Sequence, residues 1–286
     1  MTAPLPSVRI YQPAPPLESY VTFYYIVDAP GPLTDFLYPE WGNVRFVISG
    51  EWRVTMPTYS QDRHLNDVFG PTDRCGTVHT GGGHMIGFGV TPLGWHRLFG
   101  DVGTMANAVR PLNDELGVAG SQLARVLGGD ADDAAVVSRF NAVLGNVFAK
   151  LPADDSMAIA VDAALRQRPG DVAAFAAASG VSVRTLHRLC LRVFGFPPKR
   201  LLRRQRFLDT LGLVRSAVGQ SLTEALDADY TDQPHFYRDF RDFMGMSPRA
   251  YFKAGRVLMG RAAEAQRLAG VTLSFRLPDP PAPLKL

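Results

Sequence analysis

The sequence predicts an α+β protein of two domains, a β-rich N-terminal half and an all-helical C-terminal region. Three observations carry this. Early segments such as "YVTFYYIVDA" and "VRFVISGEWRVTM" are rich in Val, Ile, Tyr, Phe and Trp and are bounded by Pro and Gly, as strands are. From about Leu93 the apolar residues recur at helical spacing. Finally, "GVSVRTLHRLCLRVFGFPPKRLL" (Gly180 to Leu202) returns fifty residues later as "YTDQPHFYRDFRDFMGMSPRAYF" (Tyr230 to Phe252).

The N-terminal strands continue through "GTVHTGGGHMIGFGV", and many short strands with Gly/Pro punctuation suggest a small barrel or sandwich. A helical segment follows. In "DDAAVVSRFNAVLGNVFAKL" residues Val136, Val137, Phe140, Val143, Leu144, Val147 and Phe148 form an apolar stripe, which hints at a homodimer contact. "LPADD" at 151–155 reads as a junction. The expected domains are therefore 1–150, β-rich; 151–261, helical; and 262–286, a mobile Pro-rich tail ending in "LPDPPAPLKL".

Each copy of the repeat has one plan. Asp171 and Ser221 are N-caps for a short helix, which Gly180 ends in the first copy and Asp229 in the second. After a tight turn, Ser182 or Asp232 caps a second helix. Its inner face carries Leu186, Leu189, Cys190 and Val193 in one copy, and Phe236, Phe240 and Phe243 in the other; Gly195 and Gly245 stop it. Two short helices joined by a tight turn, the second polar on its outer face, make a helix-turn-helix. Between the copies, "PPKRLLRRQRFLDTLGLV" reads as a long helix opened by Pro, with Leu202, Phe207, Thr210, Leu213 and Val214 facing both units. Its Lys199, Arg200, Arg203, Arg204 and Arg206 are expected to stay in water or touch phosphate.

Charge follows the repeat. The net charge of +3 conceals −4 over residues 1–150 and +8 over residues 181–261. A basic patch on a helical module is the footprint of a polyanion-binding surface. No apolar run reaches the roughly 18 residues of a membrane span, and the N-terminus lacks the pattern of a signal peptide. Two cysteines, Cys75 and Cys190, make no disulfide framework, which suggests a reducing, cytoplasmic setting.

The stretches "AAASGVSVRTLHRLCLRVFGFPPKRLLRRQRF" and "ALDADYTDQPHFYRDFRDFMGMSPRAYF" resemble the AraC/XylS family of bacterial transcription regulators over about residues 155–253. The resemblance implies seven helices with two helix-turn-helix motifs bridged by a long helix. It implies double-stranded DNA as partner, read by Arg184, His187 and Arg188 in the first unit. In the second unit the readers would be Gln233, Pro234, His235 and Arg238. A cytoplasmic regulator or activator that meets RNA polymerase is the implied role, with no enzymatic activity and no cofactor. "YQPAPPLESYVTFYYIV" and "GVTPLGWHRLFG" look like a sensing domain of some family members over roughly residues 9–148, implying a cupin-like barrel. Its small-molecule effector does not transfer. One departure is visible: the second copy's support helix is one residue short, and Asp229 stands where the glycine belongs.

Two other readings compete. A cupin-type metalloenzyme fused to a DNA-binding domain would need converging ligands; His79, His84 and His96 invite that idea, but ordinary histidines are the default, and the triple glycine of "HTGGGH" fits a loop between strands. An architectural DNA binder would lack sequence preference. Cys190, on an apolar face, reads as packing, and nothing supports a redox role for Cys75. Of Tyr20, Phe23, Tyr24, Tyr25, Trp41, Phe46 and Trp52, most are expected in the barrel core.

Overall fold

The computed structural model describes residues 5–56, 59–60, 66–116, 120, 123, 132–216, 233–254 and 256–271. The N-terminal half is an eight-stranded antiparallel sheet: β1 Ser7–Tyr11, β2 Val21–Ala29, β3 Leu33–Leu37, β4 Gly42–Met56, β5 Tyr59–Ser60, β6 Asn66–Phe69, β7 Gly76–Val90 and β8 Val109–Pro111. The strand order is β1-β2-β7-β4-β6-β8, with β3 paired to the first half of β7 and β5 to the end of β4. Helix α1 spans Pro92–Phe99, α2 Leu112–Leu116 and α3 Asp133–Lys150.

β4 and β7 are fifteen residues each and pair along nearly their whole length. Their ladder is broken by bulges between Val47 and Ser49 and between Glu51 and Trp52. At the bulges Gly50 (φ +80°) faces Gly82 and Gly83, and a Cβ on Gly50 would lie 1.9 Å from the Gly82 carbonyl oxygen. The triple glycine is therefore not a loop. It lies inside a continuous strand, where two backbones approach too closely for any side chain.

The bent sheet has two apolar faces, set by strand alternation. One buries Tyr24, Ile26, Val44, Phe46, Ile86 and Phe88 under Phe140, Leu144 and Phe148 of α3. The other buries Phe23, Tyr25, Val27, Trp52, Val54, Val78 and Met85. The expected small, cupin-like β-rich domain is present, as a sheet that does not close into a barrel among the described residues. Among the described residues β1 and β8 end the strand path and do not pair, and the second apolar face is covered by a helix. That helix, α10 (Val257–Leu268), lies against β1 and β3 and buries Leu258 in the core of that second face. Residues 262–268, assigned to a tail from sequence, are thus helical; 272–286 lie outside the described residues. The α3 stripe is also spent within the chain: Val136, Phe140, Leu144 and Phe148 bury against the chain's own sheet.

The helical region runs α4 Ser156–Arg166, α5 Val172–Ala178, α6 Val183–Phe194, α7 Pro198–Ser216, α8 Gln233–Met244 and α9 Pro248–Lys253. Asp171 caps α5 by accepting from the Ala174 amide at 2.8 Å, and Ser182 caps α6 by accepting from the Thr185 amide at 3.2 Å. Ser221, Asp229 and Asp232, with the second support helix, lie outside the described residues. The first unit's core gathers Val161 and Leu165 from α4, Phe175 from α5, Leu186, Cys190 and Val193 from α6, and Leu201 and Leu202 from α7. The second gathers Phe207, Leu208 and Leu211 from α7, Phe236, Phe240 and Phe243 from α8, and Tyr251 from α9. One connector helix thus contributes to both cores, Leu202 to the first and Phe207 to the second; the side chains of Leu213 and Val214 lie outside those described.

Gly195 and Gly245 end α6 and α8 in the left-handed region, at φ +79° and +70°. Their surroundings differ. A Cβ on Gly195 would meet Val102 Cγ1 at 2.6 Å, whereas nothing lies within 4 Å of one on Gly245. Gly245→Ala should cost about 1–2 kcal/mol for the backbone alone. Gly195→Ala should cost a further 1–3 kcal/mol or so for overpacking. Equal losses in chemical denaturation would contradict this.

Candidate nucleic-acid interface

The two helices proposed from the repeat keep their register: α6 and α8 are each twelve residues and start fifty residues apart. In α6 the inner positions Leu186, Leu189, Cys190, Val193 and Phe194 are buried, while Arg184, His187 and Arg188 are exposed. In α8 Phe236, Phe240, Phe243 and Met244 are buried, while Pro234, His235, Arg238 and Arg241 are exposed. Gln233 opens α8, and its side chain lies outside those described. Six of the seven predicted site residues therefore lie on outward helix faces. Leu191, 41% exposed, follows His187 by one helical turn and shares its face.

The acids nearest in sequence to Arg238 do not hold it. Asp242 accepts from Arg200, and Asp239 and Asp242 both accept from Arg203, so these carboxylates point back toward α7. Among the described residues no ion pair engages Arg184, Arg188 or Arg238. Five donors in a rigid fork, left in water on a helix face, suit bidentate contact with an acceptor pair such as guanine O6 and N7.

The connector's arginines behave otherwise, which corrects their expected phosphate role. Arg200 donates through Nε to Asp73 at 2.5 Å and stacks over Phe243 at 4.1 Å. Arg203 reaches Asp242 at 3.0 Å. Arg204, 2% exposed, donates to the Thr72 carbonyl at 2.9 Å and lies 4.2 Å over the Trp41 ring. Burial lowers the Arg204 pKa to about 10, against the opposing charges of Asp73 and Glu40. Thus part of the basic excess over 181–261 is internal structure; Lys199 stays exposed and Arg206 half-buried.

These contacts join the two domains. The Val102 amide donates to the Arg192 carbonyl at 2.9 Å, and the Cys75 amide donates to the Phe243 carbonyl at 2.7 Å. The Tyr38 and Tyr251 hydroxyls meet at 2.5 Å, and Trp41 packs 5.7 Å from Phe194. Trp41 therefore leaves the sheet's core for the first unit's, unlike Phe23, Tyr24, Tyr25, Phe46 and Trp52. Tyr20 stacks on Phe148 at 4.6 Å. Sequence reasoning missed Asp73, Thr72, Tyr38 and Trp41 as partners, because each meets residues more than a hundred positions away and carries no local pattern.

The three candidate metal histidines face different partners. His79 bonds Thr34 at 2.8 Å, His84 bonds Asp28 at 2.7 Å, and His96 lies 3.5 Å from Asp101. No group of three or more metal-ligating side chains converges among the described residues. Burial pushes the thiols of Cys75 and Cys190 up to about 12, so neither forms a thiolate nucleophile near neutral pH. A cleft of roughly 300 Å³ opens between the sheet and α4, lined among others by Phe23, Glu40, Trp41, Asn43 and Arg166. No helix among the described residues is long and apolar enough to cross a membrane.

Residues 175–254 match a family model described as a helix-turn-helix domain. No curated protein matches the chain. Among solved structures the chain is similar to ToxT from Vibrio cholerae, at 10% identity over 87% of this chain and 98% of that one, with a TM-score of 0.46. It is also similar to the AraC-like transcriptional activator CuxR, at 15% identity over 79% of this chain and 90% of that one, with a TM-score of 0.30. With the matched segment spanning both outward-facing helices and the connector between them, the chain carries a helix-turn-helix domain behind a β-rich N-terminal domain.

Proposed function

We propose that the chain is a sequence-specific, DNA-binding transcription regulator whose N-terminal domain responds to a small molecule. The observation that carries this is the pair of matched helices α6 and α8, each anchored by a buried apolar face and each presenting arginine and histidine to solvent. Arg184, His187 and Arg188 read one major-groove segment; Gln233, Pro234, His235 and Arg238 read the next, about 34 Å along the duplex. The regulator acts in the cytoplasm, alongside RNA polymerase, and is not an enzyme. The metalloenzyme reading needs three or four converging ligands, and the histidines that suggested it face separate partners. A homodimer would use a surface other than the α3 stripe, which the sheet already covers. The cleft beside Glu40 and Trp41 is the candidate effector site, since it touches both domains.

Arg184→Ala should weaken binding to the preferred duplex by about 1–3 kcal/mol and relax preference at one base pair, while binding to random DNA barely changes. Equal losses on both DNAs would make Arg184 a phosphate contact and defeat its assignment as a reader.

A further inference from the structure

The matched helix-turn-helix segment ends at residue 254, but the chain continues into α10, which turns back onto the N-terminal sheet. A helix start leaves its first amides without partners. The N-cap residue of α10, Arg256, supplies no side-chain acceptor. A residue of the other domain does so instead. Asp35 of β3, 1% exposed, accepts through one carboxylate oxygen from the Leu258 and Met259 amides, each at 2.8 Å. Its other oxygen accepts from the Phe36 amide at 2.7 Å. Burial raises the Asp35 pKa, and the three amides and the Arg256 charge oppose that rise. A carboxylate buried this deeply is tolerable only with those donors in place, so the capping contact and the docked position of α10 form together.

The rest of α10 fixes the same geometry. Leu258 is buried in one core cluster with Leu37, Val54 and Val78. At the far end Gln12 donates to the Ala269 carbonyl at 2.7 Å. Upstream, α9 ends at Lys253 and holds Tyr251 against Tyr38. Between the Tyr38 contact and the Asp35 cap, little chain is left to adjust.

We propose that Asp35 and α10 form a strap through which the β-rich domain positions α8, the second reading helix, on DNA. The inference rests on the proposed function. Asp35 is a positioning residue: it touches no DNA, but with the Cys75–Phe243 backbone bond it fixes where the second unit sits relative to the first. The first unit has its own attachment, through the Val102–Arg192 backbone bond and the packing of Gly195 on Val102. Loosening the strap should therefore affect only one of two half-sites.

The test uses the full-length chain and a duplex of about 30 base pairs that the wild-type chain selects from random DNA, together with versions in which either half-site is scrambled. In Asp35→Asn, an amide nitrogen replaces one acceptor oxygen. Discrimination at the half-site that Arg238→Ala also erases should fall about tenfold, the equivalent of losing about 1.4 kcal/mol of positioning energy. Discrimination at the half-site that Arg184→Ala erases should stay as in wild type. Leu258→Ala, which loosens the strap from its apolar side, should give the same split. Hydrogen exchange at the Leu258 and Met259 amides should accelerate in both variants while the β4–β7 ladder amides remain protected, which shows that the sheet is folded. Undiminished discrimination at both half-sites with accelerated exchange overturns the strap; so does unaccelerated exchange, or equal loss at both half-sites. Selection of no preferred duplex by the wild-type chain defeats the proposed function itself, and the strap with it.

Discussion

Replacing Arg200 by alanine should lower the unfolding free energy by about 3–5 kcal/mol, the usual consequence of removing one partner from a buried pair. Arg200 and Asp73 are 13% and 10% exposed at their side chains, so solvent screens them little. The loss would take the guanidinium from buried Asp73, which keeps the Asn107 side-chain amide, and from the face of the Phe243 ring, and would remove one of the arginines around Asp242, which keeps Arg203 and Arg74. A double-mutant cycle with Asp73→Ala isolates the pair: the double variant should lose clearly less than the sum of the singles. The same cluster has a pH signature. Burial pushes the Asp242 carboxyl up, but hydrogen bonding and charge from Arg200, with Arg203 and Arg74, outweigh it and hold it below its ordinary value. A folded pKa below the unfolded one means that this stabilisation is complete above about pH 4 and is lost as pH falls through the folded value. Urea midpoints measured downward from pH 6 should therefore drop less steeply in Arg200→Ala than in wild type. A parallel decline would remove Asp242 from the lock.

Phe240→Ala should cost about 3–5 kcal/mol as well, by cavity formation. Phe240 is fully buried, with Phe207 and Phe236 each at 5.5 Å and Tyr251 at 5.4 Å between ring centres. The same register position in the first unit is Cys190, also fully buried. Cys190→Ala removes a single sulfur and should cost about 1 kcal/mol, near the middle of ordinary substitutions. Comparable losses at the two positions, by thermal or urea unfolding, would mean that the second unit's core is not packed as described.

The parts of this protein that were legible in its sequence are those set by local chemistry. Asp171 and Ser182 declare helix starts because a side-chain oxygen satisfies an amide three residues on. Gly195 and Gly245 declare helix ends because a positive φ is cheap only for glycine. The fifty-residue spacing then places Arg184 and Pro234 at corresponding helical positions, with the outward arginines following from the inward apolar stripe. What was hidden depends on partners distant in the chain. Arg200, Arg203 and Arg204 look like three more phosphate contacts until Asp73, Asp239, Asp242 and Thr72 are brought beside them. Their charge was readable; its use was not. The α3 stripe was readable as a buried face, but its period says nothing about whether a second copy or the chain's own sheet covers it. The triple glycine looks the same in a loop and at a bulge, and only the opposing Gly50 distinguishes them.

The central claim is that α6 and α8 enter successive major grooves of one duplex, and base-resolved footprinting of the full-length chain on its selected duplex tests it most directly. Two protected major-groove segments are expected on one face, centred about one helical turn, or roughly 10 base pairs, apart. One segment should be lost in Arg184→Ala and the other in Arg238→Ala. A single protected segment, or protection along the backbone indifferent to both substitutions, would contradict it.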